Sequence, residues 1–401
     1  MRLCGIVAEY NPFHLGHEYH LQEARKSSCA DAVIVVMSGC VTQRGEFAIL
    51  PPSIRARMAL LGGADAVVLL PAVSAVRDAE HFADHGIHTL LGLGCSDISF
   101  GVENMQLELL EACARMLREE PPRFQEVLRA SMKSGLSWPA AAQTALSDIL
   151  PDAADLLFAP NNILALCYLR ALGKYASSEV SVHPVLRRGR YHAQSLTEDT
   201  PGASAVRRAL LQGNYEEALR FVPAHMHQML LDAFRTQSVP SFDILEAALL
   251  GHFRRMGEDA WDHLPDPSEA LRNRLRHATR TCSRLQDVVS EASTRSVPRS
   301  RVMRCMMQSF LGITHEALLL PPPREVLLLG VREARRDLIG ILSRAAQSHG
   351  LSLITRAGEI RRFEKEPWIQ VESRATDLYA LACGQPSGSL YTSGLVIQPP
   401  V

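Results

Sequence analysis

The stretch Gly5-Ile6-Val7-Ala8-Glu9-Tyr10-Asn11-Pro12-Phe13-His14-Leu15-Gly16-His17 decides how this chain is read. The apolar run Leu3–Ala8 predicts a buried strand. The polar turn after it leads to a helix that HxGH opens. A helix N-terminus offers N–H groups and a positive dipole end, which suit phosphate. Imidazoles at i and i+3, His14 and His17, share one face of the first turn. Both can donate hydrogen bonds to charge developing on a phosphate that leaves. Gly16 carries no side chain, so a flat base can approach the backbone. Two readings compete with this one. The histidines are merely neighbours on a surface helix, or they form a metal pair, although helical metal pairs usually take i, i+4 spacing.

Outward from this stretch, strands and helices alternate. Ala32–Met37, Ala66–Leu70 and Asp97–Gly101 read as strands. His17–Lys26, Ile54–Leu61 and Ala79–Leu91 read as helices. Strands separated by helices of this length predict βαβ units, a parallel sheet and a ligand at the carboxyl ends of the strands. Residues 105–175 read as mainly helical, Val180–Val185 as a strand and Ala203–Gln212 as a short helix closed by Gly213. The first domain is expected to span 1–220. A mainly helical region follows over 225–320, and beyond the triple proline at 321–323 a small α/β end-piece spans 321–401. There Glu325–Gly330 reads as a strand, Arg332–Gly350 as a helix and Ser352–Thr355 as another strand.

Composition narrows the function classes. With 401 residues, 47% hydrophobic and 21% charged, the chain is globular and core-forming, not disordered. Its longest apolar runs fall far short of the roughly 20 residues of a membrane span. The N-terminus has no signal-peptide cleavage pattern, so a soluble, cytoplasmic protein is expected. The nine cysteines are scattered without a CxxC pair, which argues against a disulfide scaffold or structural zinc, and no metal ligand set is expected. The net charge of −1 hides an uneven distribution. Residues 272–304 hold nine arginines against Asp287 and Glu291, a local +7. Arg272, Arg276, Arg280 and Arg284 are spaced four apart on one helical face. Arg295, Arg299, Arg301 and Arg304 follow. Alone, such a stripe reads as a solvated face. Almost unopposed by acid, it reads as a phosphate-backbone surface for RNA.

HxGH at the end of a first strand resembles the HIGH-type nucleotidyltransferase superfamily, and EYNPFHxGHxYH resembles the tRNA(Met) cytidine acetate ligase family. Further segments resemble that family in order: Val36-Met37-Ser38-Gly39 with Gln43-Arg44-Gly45-Glu46, Leu70-Pro71 with Ala79-Glu80-His81-Phe82-Ala83, and Ser99–Glu103. Pro160–Leu172, Arg187-Arg188-Gly189 with Tyr191-His192, and Ala203–Arg207 continue the series. Thr294–Arg304 matches more weakly.

The resemblance implies a Rossmann-like nucleotidyltransferase domain that binds ATP, and ATP would arrive with Mg2+. It implies acetyl-adenylate formation from ATP and acetate, then acetylation of the 4-amino group of the wobble cytidine in elongator tRNA(Met). By the same resemblance, ATP would be held by Val7, Ala8, Glu9, Tyr10, Asn11, Pro12, Phe13, His14, Leu15, Gly16, His17, Glu18, Tyr19 and His20. His14 and His17 would be catalytic. Gly101, Asn161, Asn162, Arg187, Arg188, Ser204 and Arg207 would complete the nucleotide site. Arg272, Arg276, Arg280, Arg284, Arg299 and Arg301 would bind tRNA. Asn161 also reads as a helix N-cap and Arg207 as an exposed helical arginine.

The chain departs from the family pattern in places. Phe47 follows Glu46, Pro51-Pro52 stand where the family has a lysine, Val102 replaces a serine, and Gly202 and Ser204 replace Ser and Thr. Two other readings stay open on the sequence: adenylation of a small metabolite, and an RNA-binding protein with a vestigial nucleotide site.

Overall fold

A computed structural model describes residues 1–136, 138–153, 160–176, 179–187, 202–236, 239–266 and 268–400. Its strands are β1 (Leu3–Ala8), β2 (Ala32–Ser38), β3 (Ala66–Leu70), β4 (Asp97–Val102), β5 (Ser181–Leu186), β6 (Glu325–Arg332), β7 (Ser352–Ile354) and β8 (Val396–Gln398). They run in the order β5-β4-β1-β2-β3-β6-β7, with β8 also on β6. The first five strands are mutually parallel. The chain winds from β1 through β2 to β3, then returns to place β4 on the other side of β1. The end of β1 is therefore the topological switch point, where open α/β sheets place their ligand crevice.

Helices cover both faces. The first half of the chain contributes α1 (Leu15–Ser28), α2 (Pro52–Leu61), α3 (Ala72–Ala75), α4 (Ala79–Gly92), α5 (Leu107–Glu119), α6 (Pro122–Lys133), α7 (Trp138–Ile149), α8 (Pro160–Tyr175), α9 (Ala203–Leu211), α10 (Tyr215–Leu219) and α11 (His227–Arg235). Strand β2 shows how the sequence builds the layers. Ala32, Ile34 and Val36 pack with α4, α5 and α8, whereas Val33, Val35 and Met37 pack with α1, α2 and α9. The run is apolar throughout because both of its faces are buried.

The second half contributes α12 (Phe242–Arg255), α13 (Glu258–Asp262), α14 (Glu269–Thr281), α15 (Leu285–Ala292), α16 (Arg299–Phe310), α17 (His315–Leu318), α18 (Asp337–Ser348) and α19 (Pro367–Ala382). Helices α12–α16 share a core of their own around Phe253, Trp261, Leu271, Leu275 and Met306. Helix α16 also reaches a further core, where Met307 and Leu311 meet Val41 and Phe47 after β2 and Trp368 and Tyr379 of α19.

The α/β end-piece is present, and its strands extend the main sheet. Strand β6 lies antiparallel on β3, and β7 and β8 lie parallel on β6. Strand β6 runs through Arg332 and the following helix begins only at Asp337, later than the sequence predicts. The short strand β8 carried no sequence signal.

Candidate active site

Strand β1 delivers the HxGH turn to the switch point. Tyr10 takes a left-handed φ of 48° as the chain leaves the sheet. Tyr10 and Phe13 are buried, with ring centroids 5.0 Å apart, and the Tyr10 ring stands edge-on to His17 at 4.8 Å. These aromatics anchor the turn. His14 is the N-cap of α1. Its Nδ1 accepts the Gly16 N–H at 3.0 Å, while His17 Nδ1 accepts the His14 N–H at 3.2 Å. The two rings stack with centroids 3.7 Å apart.

This reciprocal cap fixes the chemistry of both histidines. A neutral imidazole whose Nδ1 accepts a hydrogen bond carries its proton on Nε2. Burial, with the Arg187 cation nearby, lowers His14 to about 3 and His17 well below its ordinary value. Both rings are therefore neutral Nε2–H donors at physiological pH. His20 is likewise lowered to about 4 by burial and Arg187, and its Nε2 lies 3.0 Å from Ser99 Oγ.

The sequence reading offered free N–H groups at the start of α1, and the structure corrects that. Leu15 N–H donates to Phe221 O at 2.8 Å, and His17 and Glu18 N–H both reach His14 O. With the Gly16 N–H held by His14, the first turn is already satisfied by the protein. The histidine cap and the segment after α10 fill the positions an anion would take. The ring Nε2–H groups are what the motif can present to a phosphate.

Several predicted residues do converge here. Arg207 of α9 donates to Asn11 O at 2.8 Å and stands 3.7 Å from Glu46. Asn11 Oδ1 accepts the Ile49 N–H. Glu9 accepts the Gln43 N–H at 2.6 Å, and Gln43 Nε2 continues to Arg77 O at 2.9 Å. One hydrogen-bonded chain thus ties together the segments that follow β1, β2 and β3. Arg187 follows β5, donates its N–H to Val102 O, and has its side chain beside Gly101. Val7 and Ala8 end β1, and Pro12 precedes Phe13 in the turn. Glu18 and Tyr19 lie in the first turns of α1.

Others are placed differently. Asn162 is fully buried. Its Oδ1 accepts the Glu103 N–H, and its Nδ2 donates to Asn104 Oδ1. It therefore braces the loop after β4. Asn161 donates to Glu103 Oε1 at 2.6 Å, a side-chain tie that the N-cap reading did not foresee. Ser204 is exposed on the first turn of α9. Arg188, with Gly189, Tyr191 and His192, lies outside the described residues.

Arg272, Arg276 and Arg280 share α14, but that helix ends at Thr281 and Arg284 is the N-cap of α15, so the predicted four-arginine face is broken, and all four are opposed by acid. Arg272 pairs with Asp262 at 2.9 Å, Arg276 and Arg280 with Glu258, and Arg284 with Glu246 at 4.0 Å. Arg301 grips Asp266 through two bonds, at 2.6 and 3.0 Å. The opposing acids come from α12, α13 and the loop before α14, upstream of the window whose charge was summed. Arg299 is exposed on the first turn of α16.

The sequence reading missed two buried charges near the motif, Arg55 and Glu372. Arg55 had a signal, a cation among the apolar residues of Ile54–Leu61. Glu372 had none.

A sheet whose first strand delivers HxGH to a helix N-terminus at the switch point defines a nucleotidyltransferase of the HIGH type. The HIGH Nucleotidyl Transferase family model matches residues 1–391. The tRNA(Met) cytidine acetate ligase of Acetivibrio thermocellus is 30% identical over 99% of this chain and 100% of its own. The protein of the same name from Fervidobacterium nodosum is 33% identical over 84% and 81%. The crystal structure of Thermotoga maritima TmcAL superposes with a TM-score of 0.93 at 27% identity, covering 100% of both chains. A second structure of that protein, bound with alpha-thio ATP, gives 0.91. The chain belongs to the tRNA(Met) cytidine acetate ligase family of HIGH nucleotidyl transferases.

Proposed function

We propose that this protein uses ATP to activate acetate as acetyl-adenylate and transfers the acetyl group to the 4-amino group of the wobble cytidine of elongator tRNA(Met). One observation carries the reading: similarity to acetate ligases runs the full length of the chain, through the helical region as well as the nucleotide-binding half. A small-metabolite enzyme has no evident need for that helical region.

Acetate is unreactive as an acyl donor because oxide is a poor leaving group. Attack of its oxygen on the α-phosphorus of ATP expels pyrophosphate and leaves an acyl carbon with AMP as leaving group. His14 and His17 would donate from Nε2–H to the oxygens on which the pyrophosphate charge collects. As neutral donors they do not trap the product as a cation would. Arg187, Arg188 and Arg207 would supply the balancing positive charge. The cytidine N4 then attacks the acyl carbon, AMP departs, and N4 loses a proton. Mg2+ would arrive on the triphosphate, as it commonly binds through phosphates. Among the described residues no helix is long and apolar enough to cross a membrane. Arg299 and the stripe of α14 would meet the tRNA backbone.

The test is pyrophosphate release from ATP with and without acetate, followed by mass analysis of nucleosides from added tRNA(Met). Acetate-dependent release and acetylcytidine are expected. Release driven by another acid would move the assignment to a metabolite enzyme. RNA binding without release would leave a vestigial nucleotide site.

A further inference from the structure

Two buried charges outside the motif link the three segments that follow β1, β2 and β3. Arg55 on α2 is completely buried, and its guanidinium donates to three backbone carbonyls. These are Leu50 O at 3.0 Å, Glu9 O at 2.5 Å and Gly39 O. Glu9 begins the HxGH turn, Gly39 begins the loop after β2, and Leu50 leads into α2. A planar five-donor fork can hold such a set, whereas a lysine cannot.

Glu372, on α19, lies 300 residues beyond its partner Ala72. It is 2% exposed, and its Oε2 accepts the Ala72 N–H at 2.6 Å where the chain leaves β3. Its Oε1 lies against Gly39, so close that a Cβ there would stand 2.5 Å from it. The two side chains thus approach Gly39 from opposite ends of the sequence. Arg55 and Glu372 attract each other electrostatically, and each offsets part of the other's burial.

We propose that Arg55 and Glu372 are positioning residues through which the C-terminal helix sets the geometry of the nucleotide-binding turn. Both are buried and bond backbone groups of these segments, so they act through the turn. Arg55 fixes Glu9 and Gly39 directly, and Glu372 holds the Gly39 and Ala72 segments in register with it. This inference rests on the reading of the site as an ATP site.

Stability and activity should separate. Burial raises the Glu372 carboxyl to about 7, and a group raised on folding favours the native state when protonated. That contribution is present below the ordinary carboxylate range and is lost as pH rises through about 7. At pH 8, therefore, Glu372→Gln should melt no lower than the wild type, although a merely structural charge would lower the melting point when removed.

The experiment uses the full chain and two variants, Glu372→Gln and Arg55→Lys. Three readouts are taken: melting temperature at pH 8, binding of alpha-thio ATP and acetate-dependent pyrophosphate release. Both variants are expected to weaken nucleotide binding about fivefold and lower kcat about tenfold, since small misplacements of a reacting geometry cost up to ~10²-fold. Between pH 8 and 6 the wild-type rate should fall, and the fall should be smaller in Glu372→Gln. Arg55 from α2 and Cys40 from the loop after β2 also face this group, and Tyr379 of α19 and Cys383 just beyond it lie near Arg55 and Cys40. Burial raises both thiols and the phenol above that range. Burial also raises the Glu9 carboxyl, which accepts the Gln43 N–H. If Glu372→Gln does not fold, Arg55→Lys carries the test. Binding and kcat within twofold of wild type would overturn the proposal. If the wild type binds nucleotide but releases no pyrophosphate with acetate, the acetate reading fails, and the pair is judged on nucleotide affinity alone.

Discussion

His14 does two jobs that can be separated. Its Nδ1 caps α1, and its Nε2–H is left for a ligand. Asparagine is a strong N-cap residue but has no group that reaches as far as Nε2. His14→Asn should therefore melt within a few degrees of the wild type while losing about 10²-fold or more in kcat, the usual loss for a preorganised donor. A variant that lost stability and activity together would mean that the cap is the whole role. The low values of His14, His17 and His20 also make stability pH-dependent. Each histidine is held below its ordinary value of about 6.5, so keeping it neutral contributes stability above that pH, and the contribution is lost as pH falls below it. Unfolding free energy should drop between pH 6.5 and 5 by up to about 1.4 kcal/mol per pH unit for each of them. His17→Gln should make that slope shallower, which chemical denaturation at several pH values would measure. The histidines were legible in the sequence because their geometry is local: a strand end, a cap and an i, i+3 pair. Arg55 was half legible. Glu372 was not, because the Ala72 N–H that reads it lies 300 positions away.

At the scale of elements, spacing was legible and pairing was not. The four-residue period places Arg272, Arg276 and Arg280 on one side of α14, opposite the buried Leu271, Leu275 and Ala278, whereas α14 ends at Thr281 and Arg284 is the N-cap of α15. What the period could not reveal was where α12 and α13 would lie. Those helices carry Glu246, Glu258 and Asp262 onto the same side. Glu258 faces two arginines of the stripe, and its side chain is 68% exposed. Such an exposed pair contributes little to stability. If the stripe meets an RNA backbone, Glu258 opposes that contact. Glu258→Gln should then strengthen tRNA binding severalfold at low salt and steepen its dependence on salt, with the melting temperature nearly unchanged. Unchanged affinity would remove α14 from the RNA surface. Arg299→Ala, on the exposed start of α16, should weaken binding and reduce the salt slope by about one unit. A filter-binding titration across salt concentrations reads both variants.

Across the whole molecule, the parallel half of the sheet followed from the alternation of apolar runs and helices, because β1 to β3 are joined by short local crossovers. The role of the C-terminal segment did not, because nothing local to Glu325–Arg332 says that it will pair antiparallel with β3. If the chain only adenylated a small metabolite, the region after the first domain could be thought dispensable. The sheet argues otherwise. Strand β6 covers the edge of β3 through Val331, Gly330 and Leu328, and its own apolar residues join the same core as β2 and β4. Val326, Leu328, Val331, Leu338 and Leu342 are each buried there. Their burial contributes roughly 1.5–3 kcal/mol apiece, which together matches the 5–15 kcal/mol that holds a typical domain folded. Removing them would also leave β3 as a long apolar edge open to pairing with other chains. A variant ending at residue 320 should therefore accumulate as aggregate and bind no nucleotide. A soluble 1–320 fragment with a cooperative melt and wild-type affinity for alpha-thio ATP would show instead that the nucleotide half folds alone. The Glu372 contact to Ala72 would then be only an accessory of the complete chain.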